Sequence, residues 1–285
     1  MAQGDFTRIN TNIGALNALN SLKYVQTKLG IAQLRLATGK RINEAADDPA
    51  GLTIATKFQY RARGLGQALD NIGDAKNMLA VAEGGLQKIN EILIKMRDKA
   101  EQAASDTLGT TERTAISNQL AQFASEITDI VNSTKWNDNK LLDGLSGFSN
   151  QTVTFQTGAD NESAAKITLT SAGFGSVTAA DLNVNSLTVT DASSAAAAMD
   201  TIGSAISTVS TNLQTLGALV SRLSFREETV TIAKVNTEAA YSRIMNADMA
   251  FEQLEATKYQ ILQQTATAML AQANMAPQNV LSLFR

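Results

Sequence analysis

The sequence predicts a mainly α fold: a long antiparallel helical bundle or coiled coil made by the N- and C-terminal segments, with a small β-hairpin insert. Three observations predict it. Apolar residues recur at alternating spacings of three and four through both terminal segments and most of the chain between them, the stripe of helices that lie along other helices. The chain has 2 prolines in 285 residues, so little interrupts a long helix. Between about residues 145 and 190 the composition turns to Gly, Ser, Thr and Asn, and the apolar period falls to two, which marks short strands and turns.

The first helix carries Ala15, Ala18, Leu22, Val25, Leu29, Ala32 and Leu36 on one seam. The second keeps one heptad register from Leu65 through Ile72, Leu79, Leu86, Leu93 and Met96 to Ala103, and extends from about Pro49 to Ala104. At 1.5 Å per residue it is roughly 80 Å long. Asp47 and Asp48 can cap its start and favour its dipole, and Pro49 sits where a missing N–H costs nothing. Gly84-Gly85 weakens its middle by roughly 1 kcal/mol per glycine, so a local bend is expected there. Asp106 to Thr111 reads as a turn, with Gly109 at the sharp step. The third helix shows Ile116, Leu120, Phe123, Ile127 and Ile130 on one face and ends near Asn132, before the polar loop Lys135 to Asn139.

In the insert, Val153/Phe155, Ile167/Leu169 and Leu187/Val189 predict three short strands, with Gly158-Ala159-Asp160-Asn161 as a hairpin turn. Helical spacing returns with Met199, Ile202, Ile206, Val209, Leu213, Leu216, Val220 and Leu223. The stripe shifts near Glu227, where strict register would bury a charge, and resumes through Val230, Val235 and Ala239. In the last helix Ala247, Leu254, Ile261, Ala268 and Met275 repeat every seven residues, widened by Leu262 and Met269. Folding back at the insert brings the two chain ends together.

The three interior stripes close one core between them. The terminal ones do not: facing each other, they leave Leu16, Leu19, Leu262 and Met269 uncovered, and that surplus points to contacts between subunits. The candidate inter-subunit seam is therefore Ala15, Ala18, Leu22, Val25, Leu29 and Leu36 with Ala247, Leu254, Ile261, Ala268 and Met275.

Composition excludes much else. The chain has no histidine and no cysteine, which removes the commonest zinc ligands, thiol nucleophiles, Ser-His or Cys-His couples and disulfides. Net charge is -3, without a run of like charge, so neither nucleic acid nor an anionic membrane is an expected partner. No apolar run approaches the ~18 residues of a membrane helix, and the start MAQGDFTRIN has no signal-peptide core. Gly64-Leu65-Gly66 lacks the strand and third glycine of a dinucleotide site, and Gly39-Lys40 is followed by Arg41 where a phosphate loop needs Ser or Thr. Asp47/Asp48 reads as a helix cap rather than a metal pair, and Glu227/Glu228 beside Arg226 as a solvated face or salt bridge. No catalytic residue, metal or cofactor is expected.

The motifs Ile9-Asn10-Thr11-Asn12, Leu36 to Asn43, Ala46-Asp47-Asp48-Pro49-Ala50-Gly51, Ala271-Gln272-Ala273-Asn274, Val280-Leu281 and Leu283-Phe284-Arg285 together resemble bacterial flagellin. The resemblance covers about residues 1–145 and 195–285, and the form is a short one without the large variable outer domains. It implies residues 1–46 and 241–285 as the two parts of an inner-tube domain, with a spoke near 34–47, and 47–240 as an outer helical domain with its β insert at about 146–194. It implies a structural subunit that self-assembles into the extracellular flagellar filament and gives motility. Export is expected through the type III apparatus without a cleaved signal peptide, with the termini folding at the filament tip. The implied partners are further copies in a helical homopolymer, hook-associated junction and cap proteins, and an export chaperone on the C-terminal segment. A hook–filament junction protein is the alternative.

Two departures stand out. Gly4-Asp5-Phe6-Thr7 extends the usual start, and gapless matching sets Lys95, Lys99 and Gln119 where flagellins that activate Toll-like receptor 5 carry Arg, Leu and Glu. Lysine cannot reproduce the arginine fork, so weak or absent receptor activation is expected.

Overall fold

The computed structural model describes residues 11–171 and 174–282. The extension Gly4 to Thr7, the pair Ile9-Asn10 and the closing Leu283-Phe284-Arg285 lie outside the described residues. The described elements run, in chain order, α1 (Ile13–Thr38), α2 (Pro49–Ala104), α3 (Thr110–Ser133), β1 (Lys135–Trp136), β2 (Asn139–Lys140), β3 (Thr152–Gln156), β4 (Lys166–Thr170), α4 (Ala192–Met245) and α5 (Met249–Ser282). The chain divides into two compact units, residues 61–235 and residues 1–60 with 236–285, and the division falls within α2 and α4.

In the 61–235 unit the periodic residues do what their spacing predicts as far as Val230, whereas Val235 is 58% exposed and Ala239, further along the expected stripe, is exposed as well. Ile72, Leu79, Leu86, Ile89, Leu93 and Met96 of α2, Leu120 and Ile127 of α3, and Ile202, Val209 and Leu223 of α4 are almost wholly buried in one continuous core. α2 and α4 run antiparallel: Lys76 Nζ meets Glu227 Oε2 at 2.8 Å. That pair explains the shifted stripe at Glu227, since a charge with a partner and access to water can sit beside the core without the cost of full burial. The turn from α2 to α3 is closed by Arg113, whose Nε donates to the Ala103 carbonyl at 3.0 Å and whose Nη2 donates to that of Ser105 at 3.0 Å.

The glycine pair in α2 causes no break in the helix. A Cβ on Gly85 would lie 2.7 Å from Thr134 Oγ1 and 2.8 Å from Leu142 Cδ1, whereas one on Gly84 would meet nothing within 4 Å. Gly85 is there for close approach.

The segment expected as a polar loop, Lys135 to Asn139, is instead a tight hairpin, β1 pairing antiparallel with β2. Asn137 and Asp138 both have positive φ, 49° and 65°, the two-residue turn that matches strand twist. β3 and β4 form the expected hairpin, with Val153 opposite Leu169 and Phe155 opposite Ile167. Gln156 Nε2 clamps its connection by donating to the carbonyls of Gly158 and Asp160, both at 2.8 Å.

The third expected strand, Leu187/Val189, does not form. Val189 is buried and Leu187 packs against the core, so the period-two pattern reports burial correctly. Nearby backbone donors are spent on turns instead: the N–H groups of Val184 and Asn185 both reach the Ala179 carbonyl. Without a neighbouring strand edge, alternation alone cannot make a ladder.

The other unit is built on α1 and α5. Asn12 caps α1 by accepting from the Ala15 N–H at 3.0 Å, and Gly39, at φ 68°, ends it in the left-handed conformation that glycine adopts freely. Its return segment is tied down by Arg41 N–H donating to the Met245 carbonyl at 2.7 Å and Ala247 N–H donating to that of Gly39 at 3.0 Å. The two aspartates expected as caps divide the work. Asp48 accepts from the Gly51 N–H at 2.8 Å and caps α2, while Asp47 accepts from the N–H groups of Asn43 and Glu44 and holds the preceding turn. Those two donors, before the weaker influence of Arg35, hold the Asp47 carboxyl below its ordinary value.

Candidate subunit-contact surface

α1 and α5 pair antiparallel. At one end Asn12 Nδ2 donates to the Ala273 carbonyl at 2.6 Å, and at the other Arg35 Nη1 meets Glu252 Oε1 at 3.1 Å. Between them, Leu29 and Ala32 pack on Ala256, flanked by Leu36 and Tyr259. Glu252 is among the buried residues, so its carboxylate depends on the arginine. A buried ion pair that would be costly to split fixes the register of two otherwise similar apolar stripes.

The two expected seams have different fates in the single chain. Leu22, Val25 and Leu29 are buried, and Ala15, Ala18 and Leu36 half-buried, on the side of α1 that α5 covers. On α5 the covered side is a different stripe: Glu252 and Ala256 are buried, and Tyr259, Gln263, Ala266, Leu270 and Ala273 half-buried. Of the heptad, Ala247 is half-buried, Ala268 is exposed, and Leu254, Ile261 and Met275 are 62%, 58% and 55% exposed. The N-terminal seam is thus closed within the chain, and the C-terminal one is free.

Sequence reading missed the covered stripe because the more apolar heptad beside it dominates the pattern. The usable signal was Glu252, an acid at a helical spacing from small Ala256 and Ala266, opposite a lone Arg35 on the other terminal helix.

Around the free heptad lie further exposed apolar groups, Leu16 on α1 and Phe251, Leu262 and Met269 on α5. A groove of about 400 Å³ runs along the helix pair, lined by Ala18 and Val25 on one side and Leu262, Ala266 and Met269 on the other. Asn17, Ser21 and Thr265 add polar groups to its lining, and elsewhere on the pair Lys28 lies 5.6 Å from the centre of the Tyr24 ring and Lys258 meets Glu255 at 3.0 Å. The Lys258 ammonium, donating to Glu255, holds that exposed carboxyl below its ordinary value. The surface offers shape and apolar area, and no group arranged for bond-making chemistry.

Lys95 and Lys99 stand one turn apart on α2, Lys95 exposed and Lys99 half-buried with its Nζ 3.2 Å from Gln102 Oε1. Gln119 is exposed on α3. No helix of the described residues is long and apolar enough to cross a membrane.

Residues 9–146 match the family described as bacterial flagellin N-terminal helical region, and residues 199–284 match bacterial flagellin C-terminal helical region. A flagellin of Halalkalibacterium halodurans is 36% identical over 97% of this chain and 99% of its own. A flagellar filament 33 kDa core protein of Treponema phagedenis is 34% identical over 97% of this chain and 99% of its own. Among solved structures, that of a putative flagellar hook-associated protein from Vibrio parahaemolyticus aligns with a TM-score of 0.57 over 70% of this chain and 100% of its own. At 14% identity that likeness is one of fold.

Proposed function

The chain belongs to the bacterial flagellin family, and from that membership we infer that the free face of α5 is where copies meet. It is a structural subunit of the extracellular flagellar filament, assembles with itself, and is not an enzyme. The hook–filament junction reading finds no support among relatives that share a third of its residues and are flagellins or filament core proteins.

The observation that carries the inference is the exposed heptad of Leu254, Ile261, Ala268 and Met275 beside the groove at Leu262 and Met269. In this reading residues 1–46 and 241–285 form the inner layer of the filament, with a spoke near 34–47, and residues 47–240 the outer layer. Ala15, Ala18, Leu22, Val25, Leu29 and Leu36 support that layer from within each chain by holding α5 in place. Ordering a terminal helix costs about 1–2 kcal/mol per residue, and a fully buried Leu, Ile or Met returns about 1.5–3 kcal/mol. Addition of a subunit must therefore close many such contacts together, which makes it cooperative.

The same apolar α5 face suits capture by an export chaperone before assembly, and in the filament contact with junction and cap proteins at the two ends. The Lys95, Lys99 and Gln119 positions support weak or absent activation of Toll-like receptor 5. A reporter-cell response equal to that of an agonist flagellin overturns the receptor reading.

The test of the main inference is Leu254→Asp or Ile261→Asp in seeded polymerisation. A carboxylate enclosed by apolar neighbours is costly, so filaments are lost while circular dichroism of the free chain changes little. Filaments of normal length from either variant overturn the assignment of this face.

A further inference from the structure

We propose that Met269 and Met275 are oxidation sites at which peroxide blocks subunit addition. The chain has no cysteine, so methionine is its whole store of sulfur. Burial sorts the described methionines, with Met199 half-buried against the core between two extremes. Met78, Met96 and Met245 are 4%, 0% and 7% exposed, whereas Met249, Met269 and Met275 are 47%, 58% and 55% exposed, all three on α5.

Position sorts the exposed three again. Met275 continues the free heptad of Leu254, Ile261 and Ala268, and Met269 lines the groove with Leu262. Met249 precedes buried Ala256 by seven residues and so belongs to the stripe turned toward α1, not to the free face.

The chemistry needs only hydrogen peroxide. The thioether sulfur attacks one peroxide oxygen, an S–O bond forms as the O–O bond breaks, and the other oxygen leaves as water after proton transfer. Sulfur is oxidised by two electrons and the peroxide is reduced. The product is a polar sulfoxide whose oxygen demands a donor. Between apolar helix faces it finds none, and an unpaired acceptor enclosed there opposes association. The modification acts on the chain before it joins the filament, and methionine sulfoxide reductases with a thiol reductant reverse it. This rests on the reading that the free α5 face meets another copy.

The experiment treats the purified full-length chain with hydrogen peroxide, maps sulfoxide by peptide mass spectrometry and follows seeded polymerisation. Sulfoxide is expected at Met249, Met269 and Met275 ahead of Met78, Met96 and Met245, with the critical concentration raised about tenfold or more. Met269→Leu/Met275→Leu keeps polymerising after peroxide, and Met249→Leu gives no protection. Reductase with dithiothreitol restores the oxidised native chain, a readout that holds even if the double variant polymerises poorly untreated.

Unchanged polymerisation of a chain carrying both sulfoxides overturns the proposal, as does failure of the reductase to restore it. Oxidation of preformed filaments separates this from its premise. Sulfoxide forming at Met269 and Met275 as fast in filaments as in the free chain means that the α5 face is not covered at all. Slow oxidation there, with oxidised chains still adding normally, removes only the present proposal.

Discussion

Leu93 and Leu254 are the same side chain on the same kind of helix, yet Leu93 is 0% exposed and Leu254 is 62% exposed. The difference lies in what surrounds each helix. In the 61–235 unit α2 has α3, α4 and the β3–β4 hairpin on its apolar side, and its stripe is enclosed. In the other unit α5 has α1 to pack on, and two helices cover one stripe each. A core of three or more layers satisfies a chain by itself. A pair of helices with two stripes apiece is complete only with another molecule.

The largest expected effect breaks that contrast directly. Leu93→Ala should lower the stability of the free chain by about 2–5 kcal/mol in denaturant unfolding, because it opens a cavity in a closed core. Leu254→Ala should change the free chain by less than about 0.5 kcal/mol. It should instead raise the critical concentration for polymerisation by roughly tenfold or more, since burial of a leucine exceeds the 1.4 kcal/mol that a factor of ten represents. Equal effects of both substitutions on the free chain would erase the distinction between the units.

A smaller effect sharpens the comparison inside the closed core. Gly85→Ala forces a methyl against Thr134 and Leu142 and should cost about 1–3 kcal/mol. Gly84→Ala meets nothing within 4 Å and should stabilise by about 0.5–1 kcal/mol, through helix propensity alone. Thermal melts of the two variants moving in the same direction would contradict the packing at Gly85.

The smallest effect concerns the turn that leads into α2. The backbone donors of Asn43 and Glu44 depress the Asp47 carboxyl, so the folded chain binds that proton less readily than the unfolded chain. Its contribution is therefore present above the ordinary carboxylate value of 3.8 and fades as pH falls through the lower folded value. Asp47→Asn should be less stable than the native sequence near pH 6, with the gap closing toward pH 2. Melting temperatures across that range that run parallel would remove Asp47 from the acid response.

The residues by themselves determined the helices: three-and-four spacing set all five, and Pro49, Asn12 and Gly39 set ends that depend on local backbone chemistry. They also determined the β3–β4 register, because apolar residues two apart can face a core from one side only. Tertiary structure alone decided the rest. Asn137-Asp138 became a hairpin turn and Leu187/Val189 a buried coil according to whether a strand edge stood nearby, which no local pattern encodes. The same holds for the terminal seam. The heptad is the more apolar stripe of α5 on paper, but the Arg35–Glu252 pair turns a different side of α5 toward α1 and leaves Leu254, Ile261 and Met275 outward. Periodicity shows that a helix has a face to bury. Which face a neighbour takes depends on partners distant in sequence, and here on one buried charge.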